Sequence, residues 1–450
     1  MEYIAIEENK RGSTVGGGRV TSFYPCGEPQ DVSQLDSYCP FLPCHYFDYI
    51  AGTSTGGLIS IMLGRFRMTV DDCIDEYKHL AGDVFGHPRY LHYMNSFIPR
   101  CKYSTENFEA VIKEVIVRRV EDGVKHNPQN VRFETEPGLC RVFVIASKTE
   151  SDGTVDEHRF FRSYDINTRR RPRSELASFA AKSQAKHSGS PGDVCVWHVA
   201  RATTAAPMYF KPLELTTGGN ERRATTDSSN HRPSALRSNN TAKQSSQVEQ
   251  LEDGGFGAAN NPSKEVFDEV KRHLPSNMEV GTFVSIGTAR PMERPTGPKL
   301  YHVIRRGIAR LSNPEPTHYH MERSRERRQS VPLVLPLQRA GRAREDQNGR
   351  LEAEGDCAAK PEMVRRMQKC AKELVAARRA RTVANIAKWK RFALGTYFYC
   401  GEDNCPDEVQ REIEEVKFRA HLEKEHGIIG AEVEAALRRS EGQWVYRRGC

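Results

Sequence analysis

The stretch that decides the fold of this 450-residue chain is YFDYIAGTSTGGLISIML, residues 46–63. The run FDYIAG predicts a buried strand, and the apolar residues after the glycine pair recur at helical spacing. Between them lies the pattern G-x-S-x-G, formed by Gly52, Thr53, Ser54, Thr55 and Gly56. The sequence therefore predicts a sharp strand-to-helix turn with a serine at its tip.

A serine on such a turn projects its hydroxyl from the edge of a sheet, where it can act as a nucleophile. We expect Gly52 and Gly56 to be required because a side chain there would collide with the neighbouring strand and helix. The helix that begins near Thr55 points its positive end at the serine, which favours a developing negative charge. The alternative interpretation is a glycine-rich turn with an incidental serine.

A nucleophilic serine needs a base. The downstream histidines lie on a predicted helix or in Arg-rich irregular sequence, and we interpret them as surface residues: His273, His302, His318 and His320. The run VEQLEDGG instead ends a short predicted strand at Asp253, beside Gly254 and Gly255. A partly buried carboxylate there could take the serine proton directly, because burial raises its basicity. The alternative is an ordinary Asp-Gly turn.

Several blocks taken together resemble the patatin-like phospholipase family, in the form found in fungal members. They are YFDYIAGTSTGG with its flanks, DGGFGAANNP, WHVARATTAAPMYFKPLEL and VSIGTARP, within Gly16–Arg290. The resemblance implies a three-layer α/β/α sandwich and hydrolysis of glycerolipid acyl esters by a Ser-Asp dyad without histidine. It makes Ser54 the nucleophile and Asp253 the general base, and it requires no cofactor for catalysis.

By the same resemblance, an Asp-Gly-Gly-Gly-x-Arg-Gly loop after the first strand would supply the N–H groups of an oxyanion hole. The candidate donors are Gly16, Gly17, Gly18 and Arg19. Val15 replaces the aspartate, one residue is missing before the arginine, no glycine follows it, and MEYIAIEEN matches the family's first strand poorly. Loss of one oxyanion donor costs about 2.7–4 kcal/mol of transition-state stabilisation. Either the site is degenerate or the N-terminal sequence is imperfect.

From about Phe47 to Gly287 the chain alternates strand and helix patterns, which predicts an α/β domain with a sheet covered by helices, and we place this domain at residues 1–305. RVFVIASKT and EVGTFVSIGTA predict strands, whereas STENFEAVIKEVIVRR and NPSKEVFDEVKRHLP predict helices. The helix in the first of these two begins at Ser104 or Thr105. Two polar inserts, at about 167–193 and 216–247, are predicted to be disordered surface loops. A basic tract in them could contact anionic lipid, and the alternative is a solvated loop.

The remaining sequence is predicted to be a linker at 306–340, followed by a basic, mostly helical region at 341–450. One stripe of its first helix carries Met363, Met367, Cys370 and Leu374. This helix is expected to pack on the catalytic domain or extend from it. The alternative is a basic helix that binds an anionic membrane or nucleic acid.

Residues 398–427 contain the pattern C-x4-C-x15-H-x4-H, formed by Cys400, Cys405, His421 and His426. Zinc favours a tetrahedral Cys2His2 set, so the pattern predicts a structural zinc site. The middle spacing exceeds the ~12 residues of ordinary fingers, which indicates a degenerate finger with a structural or protein-binding role. The alternative is a charged amphipathic helix whose histidines face solvent.

The composition limits the classes of function. A net charge of +8 is mild for this length: it permits attraction to anionic membranes or nucleic acid and requires neither, and nucleic acid is not expected as a partner. No apolar run approaches the ~18 residues of a membrane span, the N-terminus does not match a signal peptide, and the twelve scattered cysteines indicate a reducing compartment.

We therefore expect a cytoplasmic lipid acyl hydrolase of the phospholipase A or lysophospholipase type, peripheral to membranes and acting on phospholipid or another glycerolipid. Its C-terminal region is a candidate site for a protein partner. One rival is an acyltransferase or small-substrate esterase that uses the same dyad. The other is a catalytically impaired scaffold whose tail binds a partner or nucleic acid.

Overall fold

The computed structural model describes residues 1–12, 20–23, 41–86, 101–119, 127–149, 155–165, 191–217, 247–256, 258–274, 278–287, 343–345, 351–353, 361–401, 405 and 415–442. The predicted oxyanion loop Gly16–Arg19, the predicted linker at 306–340 and nearly all of both predicted inserts lie outside these residues. No helix in the described ranges is long and apolar enough to cross a membrane.

The described helices and strands alternate in the first part of the chain and become mostly helical in the last part. The helices are α1 Glu2–Gly12, α2 Pro43–Tyr46, α3 Thr55–Ser60, α4 Val70–Phe85, α5 Thr105–Arg119, α6 Val196–Thr203, α7 Ser263–His273, α8 Pro361–Ala384, α9 Ile386–Leu394, α10 Glu415–His426 and α11 Ala431–Ser440. The strands are β1 Tyr49–Thr53, β2 Arg141–Thr149, β3 Val155–Arg162, β4 Leu213–Thr217, β5 Gln247–Asp253, β6 Ala343–Glu345, β7 Leu351–Ala353, β8 Tyr397–Phe398 and β9 Glu441–Gly442.

Strand β2 is the centre of the main sheet. Strand β1 pairs in parallel with the first half of β2, and the last residue pair of this ladder is Thr53 with Ile145. Strand β5 pairs antiparallel with the second half of β2, and the first residue pair along β2 is Ala146 with Asp253. Strand β3 occupies the opposite edge of β2, while β4 pairs with β5. The strands β1 and β5 therefore run towards each other along one edge of β2, and their carboxyl ends meet there.

Helices cover both faces of this sheet. The β2 side chains alternate, so Val142, Val144 and Ala146 join the core formed with α3, α5 and α6. Phe143 and Ile145 face the other way and pack in a second cluster, which includes Val266 of α7 as a partly buried member. The predicted α/β class, with helices on both sides of a sheet, is confirmed.

Local signals explain the helix that begins after Ser104. The Ser104 hydroxyl accepts a hydrogen bond from the Asn107 N–H at 3.1 Å, so Ser104 is the N-cap of α5. Five apolar residues of α5 lie on one face and are buried: Phe108, Val111, Ile112, Val115 and Ile116. Of the two predicted caps, the first is correct.

The predicted strand EVGTFVSIGTA is wrong over its described residues, 279–287, which form no strand. Its apolar side chains are at most partly buried, and Ile286 is 73% exposed. Val284 contacts a cluster that includes Ile4 of α1 and the buried Cys370 and Leu374 of α8. The N-terminal segment, a poor match to the family's first strand, is the helix α1.

The basic helix α8 packs directly on the N-terminal part of the fold. Glu8 of α1 and Arg378 of α8 are both fully buried and form an ion pair. The Tyr46 hydroxyl donates to Glu8 Oε1 at 3.1 Å. In the next helix, Arg391 of α9 donates to Glu136 Oε2 at 3.0 Å, just before β2. The expected packing of the C-terminal helix on the sheet domain is therefore observed.

Candidate active site

Ser54 lies between β1 and α3 with a backbone conformation of φ +57° and ψ −132°. This region is sparsely populated by residues other than glycine, so neighbouring bonds must hold it. The Ser54 carbonyl accepts hydrogen bonds from Gly57 N–H at 2.9 Å and Leu58 N–H at 3.2 Å. Its own N–H donates to Thr203 Oγ1 at 2.8 Å. The strand-to-helix turn thus presents the serine side chain at the end of β1.

The steric role expected of the two motif glycines is confirmed for Gly52 and wrong for Gly56. A Cβ on Gly52 would lie 2.2 Å from the Gly56 carbonyl oxygen. A Cβ on Gly56 would meet no atom within 4 Å. The tight contact falls one residue later, because a Cβ on Gly57 would lie 2.8 Å from the Thr203 side chain. The first turn of α3 directs Gly56 into an open cleft and Gly57 against α6.

The structure brings Ser54 and Asp253 together across 199 positions of sequence. The Ser54 hydroxyl donates to Asp253 Oδ2 at 2.6 Å. The other carboxylate oxygen, Oδ1, accepts from the Gly255 N–H at 2.7 Å. The pair forms because the carboxyl ends of β1 and β5 meet at neighbouring residues of β2. The last residue of β5 therefore reaches the residue that follows β1.

The glycines after Asp253 allow this close approach. A Cβ on Gly254 would lie 2.8 Å from Thr53 Oγ1 and 3.1 Å from the Ile145 carbonyl oxygen. A Cβ on Gly255 would lie 3.3 Å from the Ser54 Cβ. The expectation that two glycines let a strand end approach another backbone is met.

The environment of Asp253 makes its carboxylate more basic. The residue is only 2% exposed, and burial raises its pKa to about 6, against the lowering effect of the hydrogen bonds from Ser54 and the Gly255 N–H. At neutral pH the group is therefore ionised, yet it binds a proton far more readily than an exposed aspartate does. This combination suits a group that takes a proton and returns it.

Thr203 is a positioning residue that the sequence did not single out. Its buried hydroxyl donates to the Ile145 carbonyl at 2.7 Å and accepts from the Ser54 N–H at 2.8 Å. It therefore ties the serine turn to the central strand. The only available signal was the block RATTAAP, which contains two successive threonines and does not tell which of them faces the sheet.

Ser54 opens into a cleft of about 2660 Å³. One wall comes from α4, where the Tyr77 hydroxyl is hydrogen bonded to Thr55 and burial raises the pKa of Tyr77. Several lining side chains are apolar: Ile59, Leu63, Ile74, Phe256 and Val266. The cleft is therefore wide and apolar enough for a long hydrocarbon chain next to the serine.

The predicted oxyanion donors Gly16–Arg19 are outside the described residues, so their role remains a prediction. The residues after them are held by the C-terminal helices. The Ser22 carbonyl accepts from Arg378 at 2.6 Å, and the Phe23 carbonyl accepts from the Trp389 indole N–H at 3.4 Å.

The four cysteine and histidine residues predicted as metal ligands also converge. One ligand atom from each of Cys400, Cys405, His421 and His426 lies within 4.8 Å of those of the other three. The two cysteines follow β8 in the chain, and the two histidines lie on α10.

The fold and the site define an α/β protein in which a serine on a strand-to-helix turn is hydrogen bonded to a buried aspartate. The sequence profile of the patatin-like phospholipase family matches residues 35–265, just over half of the chain. The chain belongs to this family.

The chain is also similar, over part of its length, to curated relatives. It is 26% identical over 174 residues to calcium-independent phospholipase A2-gamma of Oryctolagus cuniculus, covering 38% of this chain and 19% of that protein. It is 30% identical over 205 residues to phospholipase A I of Arabidopsis thaliana, covering 38% and 15%. It is 27% identical over 177 residues to probable inactive patatin-like protein 9 of Arabidopsis thaliana, covering 38% and 36%. The chain thus spans less than a fifth of the length of the two phospholipases.

Proposed function

We propose that this protein is a lipid acyl hydrolase that cleaves glycerolipid acyl esters with Ser54 as nucleophile and Asp253 as general base. The observation that carries the proposal is the 2.6 Å hydrogen bond between the hydroxyl of Ser54 and Asp253 Oδ2. Membership of the patatin-like phospholipase family supports the reaction class. Two relatives are named as phospholipases, which supports the same reaction class.

In the first half-reaction, Ser54 Oγ attacks the acyl carbonyl carbon while its proton passes to Asp253 Oδ2. The tetrahedral intermediate collapses as the protonated carboxyl donates that proton to the leaving alcohol oxygen. The lysolipid departs, and the acyl group stays on the serine as an ester. The Gly255 N–H keeps Oδ1 in place, so that Oδ2 remains directed at the serine.

In the second half-reaction, Asp253 takes a proton from a water molecule that attacks the acyl-enzyme carbonyl. The proton is then returned to Ser54 Oγ, which releases the fatty acid. The backbone N–H groups of the Gly16–Arg19 loop are the proposed donors to the oxyanion in both steps. Because the loop diverges from the family pattern, we expect a slow enzyme.

The apolar cleft supports a substrate with a long acyl chain. Such a lipid resides in a membrane, and the net charge of +8 favours contact with an anionic surface. We therefore propose action on phospholipid or another glycerolipid at a membrane surface, by a cytoplasmic protein peripheral to it.

Labelling with a fluorophosphonate, which reacts with activated serines, tests the proposal. Wild type should be labelled, Ser54→Ala should not, and Asp253→Asn should be labelled at least about 10²-fold more slowly because a general base is lost. Asp75→Asn, at an exposed carboxylate on α4, is the matched control. Wild type should also release fatty acid and lysolipid from phosphatidylcholine vesicles. Retention of hydrolysis by Ser54→Ala would refute the proposed nucleophile.

Two rival functions have specific outcomes in the same experiment. Acyl transfer to an added alcohol in excess over hydrolysis would identify an acyltransferase. Absence of labelling in well-folded wild type would favour a catalytically impaired scaffold. The divergent loop at Val15–Arg19 and the relative named as probably inactive motivate that second rival.

A further inference from the structure

The last described part of the chain forms a small unit, which we call the C-terminal module, residues 397–442. Its strands β8 and β9 pair, and α10 and α11 pack on them. Its apolar core is small: Phe398, Phe418, Leu422, Val433, Ala436 and Leu437. Below about 70 residues, one such core rarely supplies more than about 3–5 kcal/mol, so small units are commonly stabilised by a metal or a disulfide.

Four side chains converge beside this core. Cys400 follows β8, Cys405 follows it in sequence, and His421 and His426 belong to α10. The His421 ring stacks on Phe418 with the ring centroids 5.9 Å apart, which fixes one ligand to the module core. His426 is the last residue of α10.

Three of the six separations among these four ligand atoms match those of a tetrahedral metal site, and all six are within 4.8 Å. With Zn–N of about 2.0–2.1 Å and Zn–S of about 2.3 Å, tetrahedral angles give N···N of about 3.3 Å and S···N of about 3.5 Å. The observed distance between the two Nε2 atoms of His421 and His426 is 3.3 Å. Cys405 Sγ lies 3.5 Å from His421 Nε2, and Cys400 Sγ lies 3.2 Å from His426 Nε2.

We propose that Cys400, Cys405, His421 and His426 bind one zinc ion, which holds the C-terminal module in its fold. Two thiolates and two imidazoles in tetrahedral arrangement select zinc over the oxygen-preferring cations. Two thiolates also balance the charge of the divalent ion. Because four protein ligands complete the coordination, the site has no open position and is structural.

The zinc links the two halves of the module. It joins the segment after β8 to the end of α10, and Tyr399 N–H adds a hydrogen bond of 3.1 Å to the Ser440 carbonyl. The module begins where Arg391 of α9 binds the carbonyl oxygens of Gly395 at 3.1 Å and Thr396 at 2.9 Å. Loss of zinc should therefore loosen the module while the Ser54–Asp253 site on the sheet keeps its geometry.

The first test measures zinc in the full-length protein, purified with a phosphine reductant and without chelator. Wild type should contain about one zinc ion per chain, as a closed Cys2His2 site requires. Cys400→Ser and His421→Asn should reduce zinc content at least about fivefold, because each removes one of four ligands. Cys101→Ser and His79→Asn, which alter a cysteine and a histidine outside the site, are the matched controls and should retain the ion.

A second measurement separates ligand loss from misfolding. Cobalt(II) added to the apo protein should give the intense visible bands of a tetrahedral site, together with sulfur-to-metal charge transfer. Cys405→His retains four ligands, so it should keep the tetrahedral bands and lose part of the charge transfer. Zinc-free wild type after growth with added zinc would overturn the proposal, as would full zinc content in a Cys400→Ser/His421→Asn double variant.

Discussion

Replacement of Asp253 by asparagine tests two effects of the buried carboxylate: its contribution to catalysis and the amount by which it lowers the free energy of unfolding. Asparagine keeps the shape of the side chain. Its carbonyl oxygen can accept from the Gly255 N–H, and its amide can donate to the Ser54 hydroxyl, which is also an acceptor. The substitution therefore removes the ionisable group without leaving a buried polar atom unsatisfied.

The size of the stability effect follows from the pKa. An aspartate in an unfolded chain titrates near 3.9, whereas burial raises the pKa of Asp253 to about 6 in the folded protein. Between these pH values the folded state holds a proton that the unfolded state has released, so wild-type stability falls as pH rises through this window. A difference of about two pKa units corresponds to about 3 kcal/mol.

We expect the free energy of unfolding of Asp253→Asn, relative to wild type, to increase by about 2 kcal/mol between pH 4 and pH 7.5, because an unfolded aspartate is already half ionised at pH 4. Denaturant titrations at several pH values, followed by intrinsic fluorescence, measure this difference. Asp75→Asn supplies the background for removal of one exposed carboxylate. The rate of fluorophosphonate labelling of wild type should rise with pH through about 6, as Asp253 ionises.

A difference between Asp253→Asn and wild type that stays constant across this pH range would refute the raised pKa. In that case the carboxylate would be no more basic than an exposed one, and direct proton transfer from Ser54 would lose its physical basis. A labelling rate that does not depend on pH between 5 and 7 would point to the same conclusion.

Four further substitutions test the surroundings of the site and the packing of the C-terminal helix. Gly52→Ala should abolish labelling and lower the melting temperature, because its Cβ would lie 2.2 Å from a carbonyl oxygen. The Cβ of Gly56→Ala enters open space, so that variant should fold normally. Equal melting temperatures of the two variants would contradict the geometry. Thr203→Val leaves the Ser54 N–H without its acceptor, so it should cost about 1–3 kcal/mol of stability and slow fluorophosphonate labelling. An unchanged labelling rate would exclude a positioning role for Thr203. Glu8→Gln leaves the buried Arg378 charge without its carboxylate partner, so the free energy of unfolding measured with denaturant should fall by about 3–5 kcal/mol. A decrease below about 1 kcal/mol would show that water solvates the ion pair.

Much of the local structure could be read from sequence. Periodicity located β1, β2, α5 and α7, and the hydroxyl of Ser104 marked the start of its helix. These features depend on neighbours a few residues apart, so short-range patterns contain the information. The strand predicted from EVGTFVSIGTA shows the limit of this reasoning, since its described residues, 279–287, form no strand and Val284 packs, partly buried, on a cluster that includes residues of α8.

The sequence by itself determined the two halves of the candidate site: a serine between glycines after a strand, and an aspartate before glycines at the end of another. It also identified the four residues that we propose bind zinc. Only the tertiary structure decided that these parts meet. Ser54 reaches Asp253 because β1 and β5 end at adjacent residues of β2, and Thr203 completes the turn from a third element. Strand pairing and helix packing join residues far apart in the chain, and no local pattern specifies which partner a given strand end will meet.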